Sequence, residues 1–208
     1  MGYIIGFDEV GRGALAGPVV VAGAMILARD FKIGNRASTT LKDSKKLSAK
    51  QRESWYVDFI KNPRVIYAIA RVYPREIEKR NISAAANLAA LRVYKKLINI
   101  SKNRVVIAAM VLDGGLYLGS KKWQEKNLPY AKTLPKADEN ISAVAIASII
   151  AKVHRDRFMV KMAKKYPQYG FEVHKGYGTK KHLAAIRVRG ACPIHRLTFL
   201  KKPYKMDR

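Results

Sequence analysis

The 208-residue sequence predicts an α/β fold, a mixed sheet flanked by helices, with a small helical C-terminal part. Three observations predict it. Apolar, β-branched runs of strand length recur along the first two thirds of the chain. Helix-spaced segments with cap signals lie between and after them. No internal repeat or low-complexity linker divides the chain, so residues 1–165 read as one core and 166–208 as an extension packed on it.

The elements follow in order. Residues 3–7 read as a short buried strand ending at Asp8. Gly11, Gly13 and Gly17-Pro18 punctuate the next stretch, and residues 19–27 form a second strand able to pair antiparallel with the first. Residues 29–46 are polar and poorly periodic, a loop. Ser48-Ala49-Lys50-Gln51 is a capping box opening a helix whose Trp55, Phe59 and Ile60 turn inward. Residues 64–72 alternate as a third strand, and Pro74 opens a helical turn. Residues 83–100 form an Ala/Leu-rich helix with Leu88, Leu91 and Leu97 on its apolar side. Residues 105–112 are an apolar strand ending at Asp113-Gly114-Gly115, and the lysine-rich stretch 119–134 shows no clear period. Asp138 starts the longest helix, with Ile141, Ala145, Ile149 and Val153 at helical spacing. Residues 166–178 read as a loop, Thr179 caps a last helix ended by Gly190, and 201–208 is a polar, frayed tail.

Composition narrows the function. Lys and Arg number 41 against 15 Asp and Glu, a formal charge of +26, while a hydrophobic content of 49% suits an ordinary globular protein. Such an excess favours a polyanionic partner, because each neutralised phosphate releases counterions. Cys192 is the sole cysteine, which excludes an intrachain disulfide framework, and Cys192 with His195 lacks the further ligands of a zinc site. The chain opens on strand-like residues without a basic segment and a long apolar run, so no signal peptide is expected. The apolar runs 18–27 and 105–112 are too short to span a bilayer as helices, which predicts a soluble protein; the lone cysteine makes a reducing cytosol the expected compartment, and a monomer is expected.

On so basic a chain the placement of the acids is informative. Asp8 and Asp113 each end an apolar strand and are followed closely by glycine. If those strands are parallel neighbours, the two carboxylates lie side by side where α/β sheets collect ligands. Asp138 sits where a helix dipole favours an ionised carboxylate. Glu9 poses a geometric problem, since adjacent strand residues face opposite ways. Convergence of Asp8 and Glu9 requires the strand to break, so regular pairing is expected to end near Asp8. Clustered carboxylates without nearby His or Cys suggest hard oxygen ligation of Mg2+ or Mn2+, suited to phosphodiester hydrolysis. The plainer alternative is a helix cap at Asp138, a turn at Asp113-Gly114 and a salt-bridged Asp8-Glu9. Gly11-Arg12-Gly13-Ala14-Leu15-Ala16 also matches a dinucleotide-binding turn, but Gly17-Pro18 and a strand follow where that turn needs a helix.

Asp8-Glu9-Val10-Gly11-Arg12-Gly13, with Leu15-Ala16-Gly17-Pro18-Val19-Val20 behind it, closely resembles the signature of the ribonuclease HII family. Further blocks occur in the family's order: residues 41–48, Asn81-Ile82, Leu112-Asp113-Gly114, Asp138 with Ser142 and 147–157, 174–182 and 192–196. The chain departs from the family pattern in the long lysine-rich stretch before Asp138, in Ala137 where glycine is usual, and in Ile77-Glu78. The resemblance implies a ribonuclease H-like core acting on RNA·DNA hybrids, or on DNA duplexes containing ribonucleotides, to leave a 3′-hydroxyl and a 5′-phosphate. It also implies that Asp8, Glu9, Asp113 and Asp138 are catalytic carboxylates holding the metal. By the same resemblance Gly11, Arg12 and Gly13 approach the ribonucleotide and its 2′-hydroxyl, and Tyr177 packs near the sugar. Lys45 and Lys175 are further candidates for substrate binding by motif position, whereas His174, His182 and His195 are expected to brace loops. The competing readings are a non-catalytic basic nucleic-acid-binding protein, and the sister ribonuclease type that does not prefer single embedded ribonucleotides.

Overall fold

The structure is a computed structural model describing residues 2–30, 47–102, 105–128 and 130–201. In chain order it runs β1 (Gly2–Val10), β2 (Val19–Leu27), α1 (Ala49–Lys61), β3 (Ile66–Val72), α2 (Pro74–Arg80), α3 (Ile82–Ile100) and β4 (Val106–Asp113). There follow α4 (Lys121–Asn127), β5 (Ala131–Leu134), α5 (Ala137–Asn140), α6 (Ser142–Lys165), α7 (Phe171–His174), α8 (Lys180–Arg189) and α9 (Leu197–Leu200). The strands form one mixed sheet in the order β3-β2-β1-β4-β5. β1, β2 and β3 pair antiparallel, whereas β4 lies parallel to both β1 and β5.

Alternation along β1 divides the core. Ile5 and Phe7 point to the face covered by α3, in a cluster with Val21, Ala89, Val93 and Leu112. Ile4 and Val10 point to the other face, where α1 and α6 cover Ala22, Ala24 and Ile26. The capping box at Ser48 and Gln51 forms as expected. Tyr56 and Phe59 anchor α1, while Ile60 is 37% exposed and Trp55 only partly buried. On α3 the buried stripe is Ala85, Ala86, Ala89, Ala90, Val93 and Leu97, with Leu88 and Leu91 at its margins. Small side chains there let the helix lie close to the sheet, and that proximity cannot be read from a count of leucines.

Three further expectations are corrected. The lysine-rich stretch is structured: Ser120 caps α4, and buried Gln124 accepts from Leu118 N–H and donates to the Ala131 carbonyl at the start of β5. Asp138 lies in the separate four-residue α5, because the extended backbone at Ile141 interrupts the helix before α6. Residues 166–178 contain a 3-10 turn (Pro167–Tyr169) and α7, whose Tyr169 and Phe171 pack on Met159 and Ala163 of α6. Among the described residues no helix is long and apolar enough to cross a membrane.

Helix and sheet approach closely at Gly6, where an added Cβ would sit 2.3 Å from the Ala143 carbonyl carbon and the Val144 nitrogen. Backbone cannot yield as a side chain would, so Gly6→Ala is expected to lower stability by about 3 kcal/mol, the upper end for overpacking. Urea denaturation checks this. A midpoint equal to that of the unsubstituted protein would mean that α6 does not rest on β1 at this spacing.

Candidate metal centre and nucleic-acid site

The last paired residues between β1 and β4 are Phe7 and Leu112, so Asp8 and Asp113 follow as the next positions on neighbouring parallel strands. Both therefore leave the sheet on the α6 face, side by side. From Leu134 the chain turns through Lys136, in the left-handed region at φ 54°, and enters α5. There the Ala137 N–H donates to Asp113 Oδ1 at 2.6 Å. One carboxylate thus caps the short helix that carries the next. Asp8, Asp113 and Asp138 consequently each offer an oxygen within 4.8 Å of the others.

Glu9 behaves differently. The expected end of regular pairing near Asp8 occurs only on the β4 side; on the β2 side the ladder runs unbroken through Asp8–Ala22, Glu9–Val21 and Val10–Val20. No bulge turns the strand at Asp8 or Glu9, so Glu9 faces α3. Its Oε1 accepts from Arg12 at 3.0 Å, and Arg12 also donates to Ser83 Oγ on α3. Glu9 still lines the same cavity of about 320 Å³ as the three aspartates, and its Oε2 is buried without a hydrogen-bond partner. Val10, Gly11, Arg12, Gly13, Lys152 and Tyr177 complete the lining.

The electrostatics fit a hard cation. Burial, opposed by Lys152 and the Ser148 hydrogen bond but reinforced by Glu9 and Asp113, pushes the Asp8 carboxyl up to about 7. Burial likewise raises Glu9, against the Arg12 guanidinium. Oxygen donors alone, crowded and short of positive charge, suit Mg2+ or Mn2+. Lys152 and Ser148 beside Asp8 are functional candidates that no sequence motif singles out for a catalytic role. Their signal was the α6 spacing, which puts positions 148 and 152 on one face.

The glycine loop is held from beneath by two fully buried arginines that bond to carbonyl groups. Arg155 donates to Pro18, Ala16 and Lys175, and Arg196 to Gly17 and Arg12. Burial and the neighbouring Arg155 lower Arg196 to about 9. At Gly11, with φ +89°, a Cβ would lie 2.6 Å from Arg155 Nε, so only glycine fits. Arg155 also stacks 5.7 Å from the centre of the Tyr177 ring. Tyr177 is 39% exposed and supplies an aromatic wall to the cavity. Lys175 does not line it: its Nζ turns to the Glu172 carbonyl, and its backbone carbonyl serves Arg155. Lys45 lies outside the described residues.

The histidines form a backbone-anchored relay. His182 Nδ1 faces the Tyr177 carbonyl at 2.9 Å and must donate, leaving Nε2 to accept from His195 Nε2 at 3.0 Å. His195 Nδ1 then accepts from the Cys192 N–H. The relay ties Tyr177 to the 192–196 loop with both rings neutral, as expected of bracing histidines rather than of acid–base groups.

A mixed five-stranded sheet with aspartates converging on one strand edge, beside a glycine loop, defines a metal-dependent nuclease of the ribonuclease H-like class. A family profile described as ribonuclease HII matches residues 5–202. The chain belongs to the ribonuclease HII family. It is 43% identical to the ribonuclease HII of Chlorobium chlorochromatii, over 95% of this chain and 89% of that one. It is 40% identical to that of Treponema denticola, over 96% and 98%. Among solved structures, a chain of the PCNA:RNase HII complex from Archaeoglobus fulgidus superposes with a TM-score of 0.73 at 25% identity, covering 99% of this chain and 96% of that one. The ribonuclease H2 of Pyrococcus horikoshii OT3 gives 0.69 at 27%, covering 96% and 100%. Bst RNase HIII, solved in complex with Mn2+, gives 0.71 at 25% over 91% of this chain and 63% of that one.

Two outcomes follow from the titrating groups. Burial holds His182 at about 4, below its ordinary 6.5. The unfolded chain therefore takes up a proton in that interval which the folded relay refuses. Stability is full above about pH 6.5 and is lost as pH falls towards about 4. Urea midpoints should drop across that window and drop less in His182→Gln; a flat wild-type profile would contradict the neutral relay. Asp8 has the opposite sign, its folded pKa lying above the unfolded value of 3.8, so its cost grows as pH rises to about 7. In chelator, Asp8→Asn should be more stable than the unsubstituted protein at about pH 8, by roughly 4 kcal/mol, and close to it near pH 4.

Proposed function

We propose that this chain hydrolyses the RNA strand of RNA·DNA hybrids and cuts at ribonucleotides embedded in duplex DNA, leaving a 3′-hydroxyl and a 5′-phosphate. The observation that carries the proposal is the single cavity joining Asp8, Asp113 and Asp138 to Gly11, Gly13 and Tyr177. Asp8, Asp113 and Asp138 hold the divalent cation, Mg2+ or Mn2+, and Glu9 adds its unpartnered oxygen at the rim. The bound cation supplies the charge that activates water and stabilises the departing oxygen. Gly11 and Gly13 present backbone without side-chain bulk to the 2′-hydroxyl, the group that distinguishes RNA from DNA. Arg12 steadies Glu9, and the Tyr177 ring packs against the sugar. Lys152 brings positive charge to the phosphodiester beside Asp8. The carbonyl-bonded arginines hold this surface rigid, so little reorganisation accompanies binding.

The whole cavity comes from one chain, which supports a monomeric enzyme; a cytoplasmic site of action accords with its single cysteine. The division into a core of residues 1–165 and an extension of 166–208 is supported by the packing of Tyr169 and Phe171 on α6 and by the delivery of Tyr177 from the extension.

A labelled DNA duplex containing one ribonucleotide, and a uniform RNA·DNA hybrid, test the reading with and without Mn2+. Cleavage of both should require the cation. Asp8→Asn should reduce turnover by at least about a thousandfold while leaving fold and binding intact. Binding without cleavage would indicate the non-catalytic alternative, and cleavage of the hybrid alone the sister ribonuclease type.

A further inference from the structure

A second basic cavity, of about 380 Å³, opens between the end of β3 and α6. It is lined by Arg71, Tyr73, His154, Arg157, Phe158, Lys161 and Met162, with no carboxylate among them. Arg157 is matched by Glu53 and stacks on Tyr56. Among the described residues neither Arg71 nor Lys161 has an ion-pair partner. Arg71 donates to His154 Nδ1 at 3.3 Å, and its Nε is buried with no acceptor. His154 Nε2 meets the Tyr56 hydroxyl at 3.2 Å, so the ring is committed on both sides and neutral. A buried guanidinium nitrogen without an acceptor is costly unless a ligand supplies one. Tyr73, 49% exposed, stands at the mouth in edge contact with Phe158.

The cavity's position relates it to the aspartates. Arg71 pairs with Val20, which pairs with Val10, and Val10 lines the acidic cavity. Two strand spacings put Arg71 about 10 Å from Val10. Along α6, the nine-residue step from Lys152 to Lys161 spans about 13 Å. At about 3.4 Å of rise per nucleotide, both distances correspond to roughly three or four nucleotides.

We propose that this cavity is a second phosphate site, in which Arg71 and Lys161 grip a backbone phosphodiester of the nucleic acid a few nucleotides from the scissile bond, with Tyr73 against the adjoining sugar or base. The proposal rests on the nuclease reading above. Planar guanidinium suits a phosphodiester, and an exposed aromatic beside cations suits a splayed nucleotide.

The test uses DNA duplexes carrying one ribonucleotide, with flanks of about ten nucleotides, and others with either flank trimmed to about two. Arg71→Gln, Arg71→Lys and the surface variant Lys161→Ala are compared with the unsubstituted protein across a salt series. Arg71→Gln and Lys161→Ala should each raise KM roughly three- to tenfold, with kcat within about twofold, and reduce the salt slope by about 1. Arg71→Lys should recover part of the KM. The defect should vanish on one of the two trimmed duplexes. Unchanged KM and salt slope overturn the proposal, including the case where Arg71→Gln merely lowers Tm through the lost His154 contact. Thermal stabilisation by inorganic phosphate that needs Arg71, with unaltered cleavage, would assign the cavity to free phosphate and also overturn it. If the unsubstituted protein cuts none of these duplexes, the nuclease reading fails, and fluorescence anisotropy of the same duplexes in chelator still decides the cavity.

Discussion

The parallel register between β1 and β4 is the constraint on which the rest of the site depends. With Phe7 opposite Leu112, Asp8 and Asp113 emerge as neighbours on the same face. A slip of one residue would send one of them towards α3 and separate two carboxylates that now offer oxygens within 4.8 Å of each other. The register is enforced by the faces themselves. Ile5, Phe7, Met110 and Leu112 share one core, so a slip would also expose them. Hydrophobic burial therefore places the acids, at the cost of crowding like charges in a buried edge. The raised Asp8 carboxyl is the mark of that cost.

The second organising element is the pair of buried arginines. Removing two guanidinium groups from water is expensive, and here carbonyl dipoles rather than carboxylates meet them. An acidic partner would have satisfied them equally well but would have cancelled the positive field beneath the glycine loop. Carbonyl partners preserve it where phosphate must approach. They also join segments far apart in sequence, since Arg155 on α6 and Arg196 near the C-terminal end both grip the loop of residues 12–18. The histidine relay extends the same bracing to Tyr177 without adding charge at neutral pH.

Asp113 shows how closely stability and chemistry are joined. Its carboxylate caps α5, and so one member of the aspartate cluster also positions the next. The segment that brings the chain back to it, α4 and β5, carries lysines outward while buried Gln124 and the parallel pairing with β4 do the positioning. Charged surface residues obscure such a short strand, which is why its period was invisible in the sequence.

Local signals were legible because their physics is local. The strands at β1, β2 and β4, the Ser48 capping box, the Thr179 and Gly190 ends of α8, and the identity of the acids all follow from neighbours within a few residues. The ordered motif blocks identified the family for the same reason. What the sequence left open was convergence. That Asp8, Asp113 and Asp138 meet while Glu9 turns to Arg12 depends on a register spanning about a hundred residues and on a strand that stays regular where a break was expected. The burial of Arg155 and Arg196, and the turning of Lys175 away from the cavity, were likewise decided by packing between distant segments. Alternation states which residues share a face, but only the assembled sheet states which faces meet, because burial acts on the whole core at once.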